Sequence, residues 1–179
     1  MGKPIPEILA ENRIIVINSE LDPNATSAII SRLLEWSAQN NEQEIQLYVA
    51  SEAGSFSNAI TIYDVLMGIP NPISITCIGL VGGFAMLFLA AATKGRRRAL
   101  KHTLFDFNQP RGYFDSGNNQ QTEIEIEARE TSLIRNTFEQ ILSERFEKPI
   151  EEIHEMCEKD QEINAFQAVD FGIIDAIMG

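Results

Sequence analysis

A chain of 179 residues, with 44% hydrophobic and 22% charged residues, is long enough for one domain with a real core and has an ordinary globular composition. Its formal charge of −12 argues against a nucleic-acid partner, because phosphate binding needs a basic face. Two cysteines, Cys77 and Cys157, make no disulfide framework and fit a reducing compartment.

Residues 1–6 carry no apolar signal region. The longest apolar run, residues 84–92, falls short of the roughly 20 residues that span a bilayer. The chain is therefore expected to be cytoplasmic, or the mature form of an organelle stroma protein, with no membrane contact. Arg13-Ile14-Ile15-Val16-Ile17 is β-branched and predicts a buried strand. Asp22-Pro23 then marks a helix start, with Asp22 as cap and Pro23 in the first turn. Ala28, Ile29, Leu33, Leu34 and Trp36 give that helix an apolar face, and Gln39-Asn40-Asn41 ends it. Residues 44–50 alternate as a strand. Ser51-Glu52-Ala53-Gly54-Ser55 reads as a tight turn, and the next helix stops near Gly68. Ile73-Ser74-Ile75-Thr76-Cys77 follows as a third strand. The order strand, helix, strand, helix, strand, helix is that of right-handed β-α-β units.

The next stretch organises the rest. Ile78-Gly79-Leu80-Val81-Gly82-Gly83-Phe84-Ala85-Met86 links the third strand to an apolar helix expected to run through Ala92. Small residues at such a turn let the backbone approach something closely, and amides at a helix start can hold an anionic group. In a hydrolase this is where a nucleophile would stand. Here the turn offers Gly82 and Gly83 and no Ser, Cys or Thr. The run Lys94-Gly95-Arg96-Arg97-Arg98 reads as a solvated turn. Residues 111–121 read as an exposed loop. Residues 122–146 predict one long helix, about 37 Å at ~1.5 Å per residue. Its stripe, Ile124, Ala128, Leu133, Ile134, Phe138, Ile141 and Leu142, is expected to pair with another subunit. Pro149 opens another helix, Asn164 caps a third, and residues 173–177 close as a strand.

Candidate chemistry outside that turn is sparse. His102 and His154 lie in no nucleophile or metal-ligand pattern, and His154 shows no partner motif. No metal-ligand spacing is present, and no cofactor is expected. The carboxylates of the long helix read as a solvated face. Ser51 and Ser55 are nucleophiles in principle, although turn and cap roles are commoner for such serines.

Six stretches in order carry a resemblance. They are Ala59-Ile60-Thr61-Ile62-Tyr63-Asp64, Ile75-Thr76-Cys77-Ile78-Gly79, Leu89-Ala90-Ala91-Ala92-Thr93-Lys94-Gly95-Arg96-Arg97, Asn108-Gln109-Pro110-Arg111-Gly112, Thr122-Glu123-Ile124-Glu125-Ile126-Glu127-Ala128-Arg129-Glu130 and Ala168-Val169-Asp170-Phe171-Gly172-Ile173-Ile174-Asp175. With them the chain resembles the proteolytic subunit family of the Clp protease over nearly its whole length. The resemblance implies an α/β chain with the Clp/crotonase fold, built from β-β-α superhelical turns. It implies one domain over 1–179, with a head of residues 1–110 and 147–179 and a handle region of residues 111–146. Family members stack two seven-membered rings into a tetradecamer through the handles and dock a ring-shaped AAA+ unfoldase.

The resemblance also implies a Ser-His-Asp triad, in which His takes the Ser proton and Asp orients the imidazole. The family Ser position holds Gly83, the family His position holds Asn108, and the family Asp matches Asp160. Oxyanion-hole positions match the backbone amides of Gly54 and Phe84. Unfoldase-docking rim positions match Gln46, Tyr48, Gly68, Arg98 and Met178. At Gln46, Gly68 and Arg98 the family often places aromatic residues, so docking is expected to be weakened. The family's N-terminal axial loops look truncated, and its Glu-Arg pair between rings appears as Glu158-Lys159. The pattern is similar to the catalytically silent ClpR-type subunits that share homo- or hetero-oligomeric rings with active ones. The leading expectation is a non-catalytic ring subunit of an ATP-dependent Clp protease. Two alternatives stand beside it. One is a crotonase-fold enzyme using the residual oxyanion hole with Glu52 or Asp106 as acid/base. The other is a serine peptidase with its nucleophile relocated to Ser55.

Overall fold

Helix starts follow the capping chemistry of the sequence. The protein's structure is a computed structural model that describes residues 2–108 and 121–179, with side chains of the second segment from residue 125 onward. The Asp22 carboxylate accepts the Ala25 N–H at 2.7 Å and Pro23 occupies the first turn, so α2 runs Pro23–Gln39. Asn164 accepts from the Phe166 and Gln167 amides and Gln167 answers the Asn164 N–H, a complete capping box. The remaining elements are α1 (Ile5–Glu11), β1 (Ile14–Ile17), β2 (Ile45–Val49), α3 (Phe56–Gly68), β3 (Ile73–Cys77), β4 (Leu80–Gly82), α4 (Met86–Ala91), β5 (Arg97–Leu100), β6 (Leu104–Phe107), α5 (Gln121–Phe146), α6 (Ile150–Glu158), β7 (Gln161–Asn164), α7 (Ala165–Phe171) and β8 (Ala176–Met178).

Two sheets divide the strands. The larger has order β1-β2-β3-β5-β8 and is parallel throughout; the smaller has order β4-β6-β7. In the smaller sheet β4–β6 is parallel and β6–β7 antiparallel. From β3 to β6 the strands alternate between the sheets: β3 then β4 before α4, β5 then β6 before α5. This is the β-β-α superhelical α/β fold that the resemblance implies. Helix α4 is buried along its whole length and packs between α3 and α5 over β3.

Several expectations are corrected. The N-terminal residues fold into α1, which the two prolines Pro4 and Pro6 disguised; Pro is tolerated in a first helical turn. Residues 78–92 hold a strand, a 3₁₀ turn (Gly83–Ala85) and a short helix rather than one turn and one long helix. The run at residues 94–98 is not simply solvated. Lys94 pairs with Glu147, Arg96 with Glu44 and Arg97 with Asp175. The closing strand is β8, shifted toward the C-terminus. The loop expected at residues 111–120 lies outside the described residues.

The long-helix stripe divides in two. Phe138 is 1% exposed and, with Leu142 and Phe146, belongs to the chain's own core. Arg145 ties this half down by donating to the carbonyls of Ala90 at 2.7 Å and Ala92 at 3.1 Å, which close α4. Earlier on the helix Ile126 is 56% and Leu133 68% exposed, and Ile134 is half-buried. Phe138 and Leu142 are therefore withdrawn from any subunit contact.

Arg97 and Asp175 join β5 to the turn before β8. The Asp175 carboxylate accepts the Arg97 backbone N–H at 2.7 Å and the Nη2 donor at 2.8 Å. Burial works to raise the Asp175 carboxyl, and the Arg97 hydrogen bonds and charge together outweigh it, holding it below the usual range. A carboxyl lowered on folding stabilises above its unfolded value of about 3.9, and that contribution is lost as pH falls through the folded value. Asp175→Asn is expected to cost about 2 kcal/mol at neutral pH. It should also flatten the acid limb of stability below about pH 4. Urea midpoints between pH 3 and 7 check both; an unchanged acid limb would remove the assignment.

Candidate functional site

The site grows from a collision of glycines with strand β6. A Cβ at Gly82 would stand 2.9 Å from the Asp106 Cβ and 3.0 Å from the Asp106 carbonyl oxygen, so only glycine lets β4 lie this close to β6. Gly83, next in the chain, has φ +49, the left-handed region that favours glycine. A side chain there would point at two groups: its Cβ would lie 3.2 Å from the Glu52 carbonyl oxygen and 3.3 Å from Asn108 Oδ1. Gly83 thus opens the 3₁₀ turn with nothing between its backbone and Asn108.

Asn108 follows β6 directly. Its Nδ2 donates to Asp106 Oδ2 at 3.0 Å. Burial pushes the Asp106 carboxyl up and the Glu52 carboxylate adds to it; the Asn108 bond works against them, and Asp160 and Glu162 raise it further. The net direction is upward. The β6–β7 ladder ends with Phe107 paired to Gln161, and Asn108 and Asp160 are the residues that adjoin this last pair. Asp160 has φ +46, at the end of α6. Gly83 and Asn108 thus approach each other, although they lie on strand ends far apart in sequence.

The residues 51–56 turn closes the other side. Ser51 is buried, donates to the Ser19 carbonyl at 2.7 Å and accepts the Ala53 N–H at 2.9 Å. The Gly82 N–H donates to the Ser51 carbonyl at 3.2 Å, fastening this turn to β4. Ala53 and Gly54 are both left-handed, at φ +68 and +77. Ser55 caps α3, its oxygen accepting the Asn58 N–H. Phe84 is held edge-on between Phe56, at 5.3 Å between ring centres, and Phe138, at 5.6 Å. As the second residue of a 3₁₀ turn its own N–H has no intrahelical acceptor. The two turns that carry Gly54 and Phe84 are therefore in contact through Phe56 and Gly82.

The chemistry of these groups is limited by type. Gly83 has no attacking atom, and an asparagine amide is no base near neutral pH. Neither thiol substitutes, since burial, with the Glu139 and Asp160 carboxylates, pushes Cys157 up to about 12, and burial pushes Cys77 up too. Among the described residues no group of His, Cys, Asp and Glu is placed to hold a metal ion. No described helix is long and apolar enough to cross a membrane.

Other residues lie elsewhere than their expectations. His154 does have a partner: its Nδ1 lies 3.0 Å from Glu139 Oε2 and its Nε2 lies 3.2 Å from Glu158 Oε1. Glu139 is a 3% exposed carboxylate on α5, which corrects the reading of a solvated face. The rim positions Gln46, Tyr48, Arg98 and Met178 fall on one face of the larger sheet, and Gly68 ends α3. Sequence reasoning missed the Phe56–Phe84–Phe138 contact. The fourfold spacing of Phe138, Leu142 and Phe146 was the available sign that this half of α5 faces the core.

Residues 3–179 match the family model described as Clp protease. The chain belongs to the Clp protease family.

Proposed function

We propose that this chain is a non-catalytic, ClpR-type subunit that builds the ring chamber of an ATP-dependent Clp protease and leaves hydrolysis to active partner subunits. The observation that carries the reading is the geometry at Gly83. A side chain there would aim at Asn108 within 3.3 Å, and Asn108 and Asp160 each adjoin the last pair of the β6–β7 ladder, Phe107 with Gln161. The triad-equivalent positions Gly83, Asn108 and Asp160 supply an orienting carboxylate with neither nucleophile nor base. The amides of Gly54 and Phe84 are the residual oxyanion hole. In this reading residues 111–146 are the handle of a single 1–179 domain, and the exposed Ile126 and Leu133 meet their counterparts across the ring pair. The compartment is the cytoplasm or an organelle stroma. The Ser55 alternative is weakened by the cap bond that engages its oxygen.

Two tests address silence. The purified chain should cleave no small fluorogenic peptide and take no fluorophosphonate label. Robust labelling at any serine would revive a relocated nucleophile. Gly83→Ser should destabilise the chain by about 1–3 kcal/mol, because a non-glycine residue at this φ is strained, and should remain inactive for want of a base. Gly83→Ser with Asn108→His should give weak peptidase activity at most. Measurable activity in the single variant, equal to that of the double, would contradict the assigned roles.

A second reading, acid/base chemistry on an acyl-thioester, is favoured by the raised carboxyl of Asp106 beside Asn108. It predicts thioester turnover by the wild type that Asp106→Asn abolishes.

A further inference from the structure

Helix α5 turns one stripe inward and another out. Thr131 and Ile134 are half-buried and Phe138 and Leu142 are buried, at spacings of three and four residues that keep them on the side of the head. Ile126, Arg129, Glu130 and Leu133 stand at i, i+3, i+4 and i+7, and all four are exposed. They share a second stripe that faces away from the head. Among the described residues neither Arg129 nor Glu130 makes a side-chain hydrogen bond or ion pair.

The order of this outer stripe is its own complement. It runs apolar, cation, anion, apolar. A two-fold axis that crosses the helix between residues 129 and 130 lays it antiparallel on a copy of itself. Ile126 then meets Leu133 of the copy and Arg129 meets Glu130 of the copy, and each contact occurs twice. A parallel pairing in register would instead set Arg129 against Arg129 and Glu130 against Glu130, which repels. A helix without an acid opposite Arg129 and a base opposite Glu130 would strip water from both charges and return nothing.

We propose that this stripe pairs antiparallel with the same stripe of a second copy of this chain, in the register that sets Arg129 against Glu130. The inference rests on the ring-subunit reading and adds which subunit lies across the contact. Copies of this chain face each other where two rings meet, and an unlike subunit does not take that place. Ile126 and Leu133 supply the apolar burial, and the two ion pairs fix partner and register.

The test exchanges the charges. Arg129→Glu and Glu130→Arg are made singly, and each chain is sedimented alone and as an equimolar mix, with circular dichroism on the same samples. Wild type should self-associate with no other protein present. Each single variant should weaken that association roughly tenfold or more, because both pairs become like-charged. The mix of the two variants should recover it, since every Glu of one chain then faces an Arg of the other. Arg129→Glu with Glu130→Arg in one chain should recover it as well. Folded single variants that associate as tightly as wild type, or a mix no tighter than its components, overturn the register while the ring-subunit reading stands. A wild type that is monomeric alone and assembles only with an active homologue overturns the like-to-like contact and leaves that reading intact. A wild type that assembles in neither case overturns both.

Discussion

Phe138→Ala is expected to cost about 4 kcal/mol, a large share of the ~5–15 kcal/mol that holds a typical domain together. The ring is 1% exposed and meets Phe84 edge-on at 5.6 Å. Its removal leaves a cavity between α5 and the 3₁₀ turn that Gly83 opens and also removes an aromatic pair. Leu133→Ala, five residues earlier on the same helix, removes a side chain that is 68% exposed and should change the isolated chain's stability by less than about 0.5 kcal/mol. Urea midpoints of the two variants, taken on a disassembled chain, give the comparison. Similar losses at both positions would mean that Phe138 is not the seat of α5 on the head.

The second large effect is on assembly. Leu133→Asp is expected to remove the larger species without unfolding the chain. A charge placed where an apolar helix face meets its copy is buried without a partner, at a cost of several kcal/mol per contact. Symmetry repeats that cost in every subunit. Ile126→Asp should act alike, since Ile126 is 56% exposed on the same half of α5. Phe138→Asp would unfold the head and is not a test of assembly. Sedimentation velocity with circular dichroism separates the outcomes: folded small species support the contact, and unchanged large species for both variants exclude it.

Much of the fold was legible because its signals are local. Asp22-Pro23 and Asn164 name their helices by side-chain chemistry, and the alternation of residues 44–50 names β2. Strand β4 was not legible, because Leu80-Val81-Gly82 is only three residues long and ends in a glycine that also reads as a turn. The glycine is there for contact, since any side chain at Gly82 would strike Asp106 on a strand more than twenty residues away. The site was legible by type and not by place. Gly83 and Asn108 stood out through the resemblance, while their mutual approach depends on the β4–β6 pairing. The Glu139–His154 contact was hidden for the same reason. It joins two helices whose sequences both look like solvent-facing, Glu-rich surface.

The central claim, a ring subunit that does no hydrolysis, is tested most directly by one sedimentation run. The wild-type chain is mixed with an active homologue of the same family, treated with a fluorescent fluorophosphonate, and sedimented with absorbance and fluorescence detection. Denaturing gels of the fractions then locate the label. The account predicts that this chain travels with the fluorescent large species while its own band stays dark. A chain that sediments as a monomer apart from the labelled species, or whose own band takes the label, would contradict it.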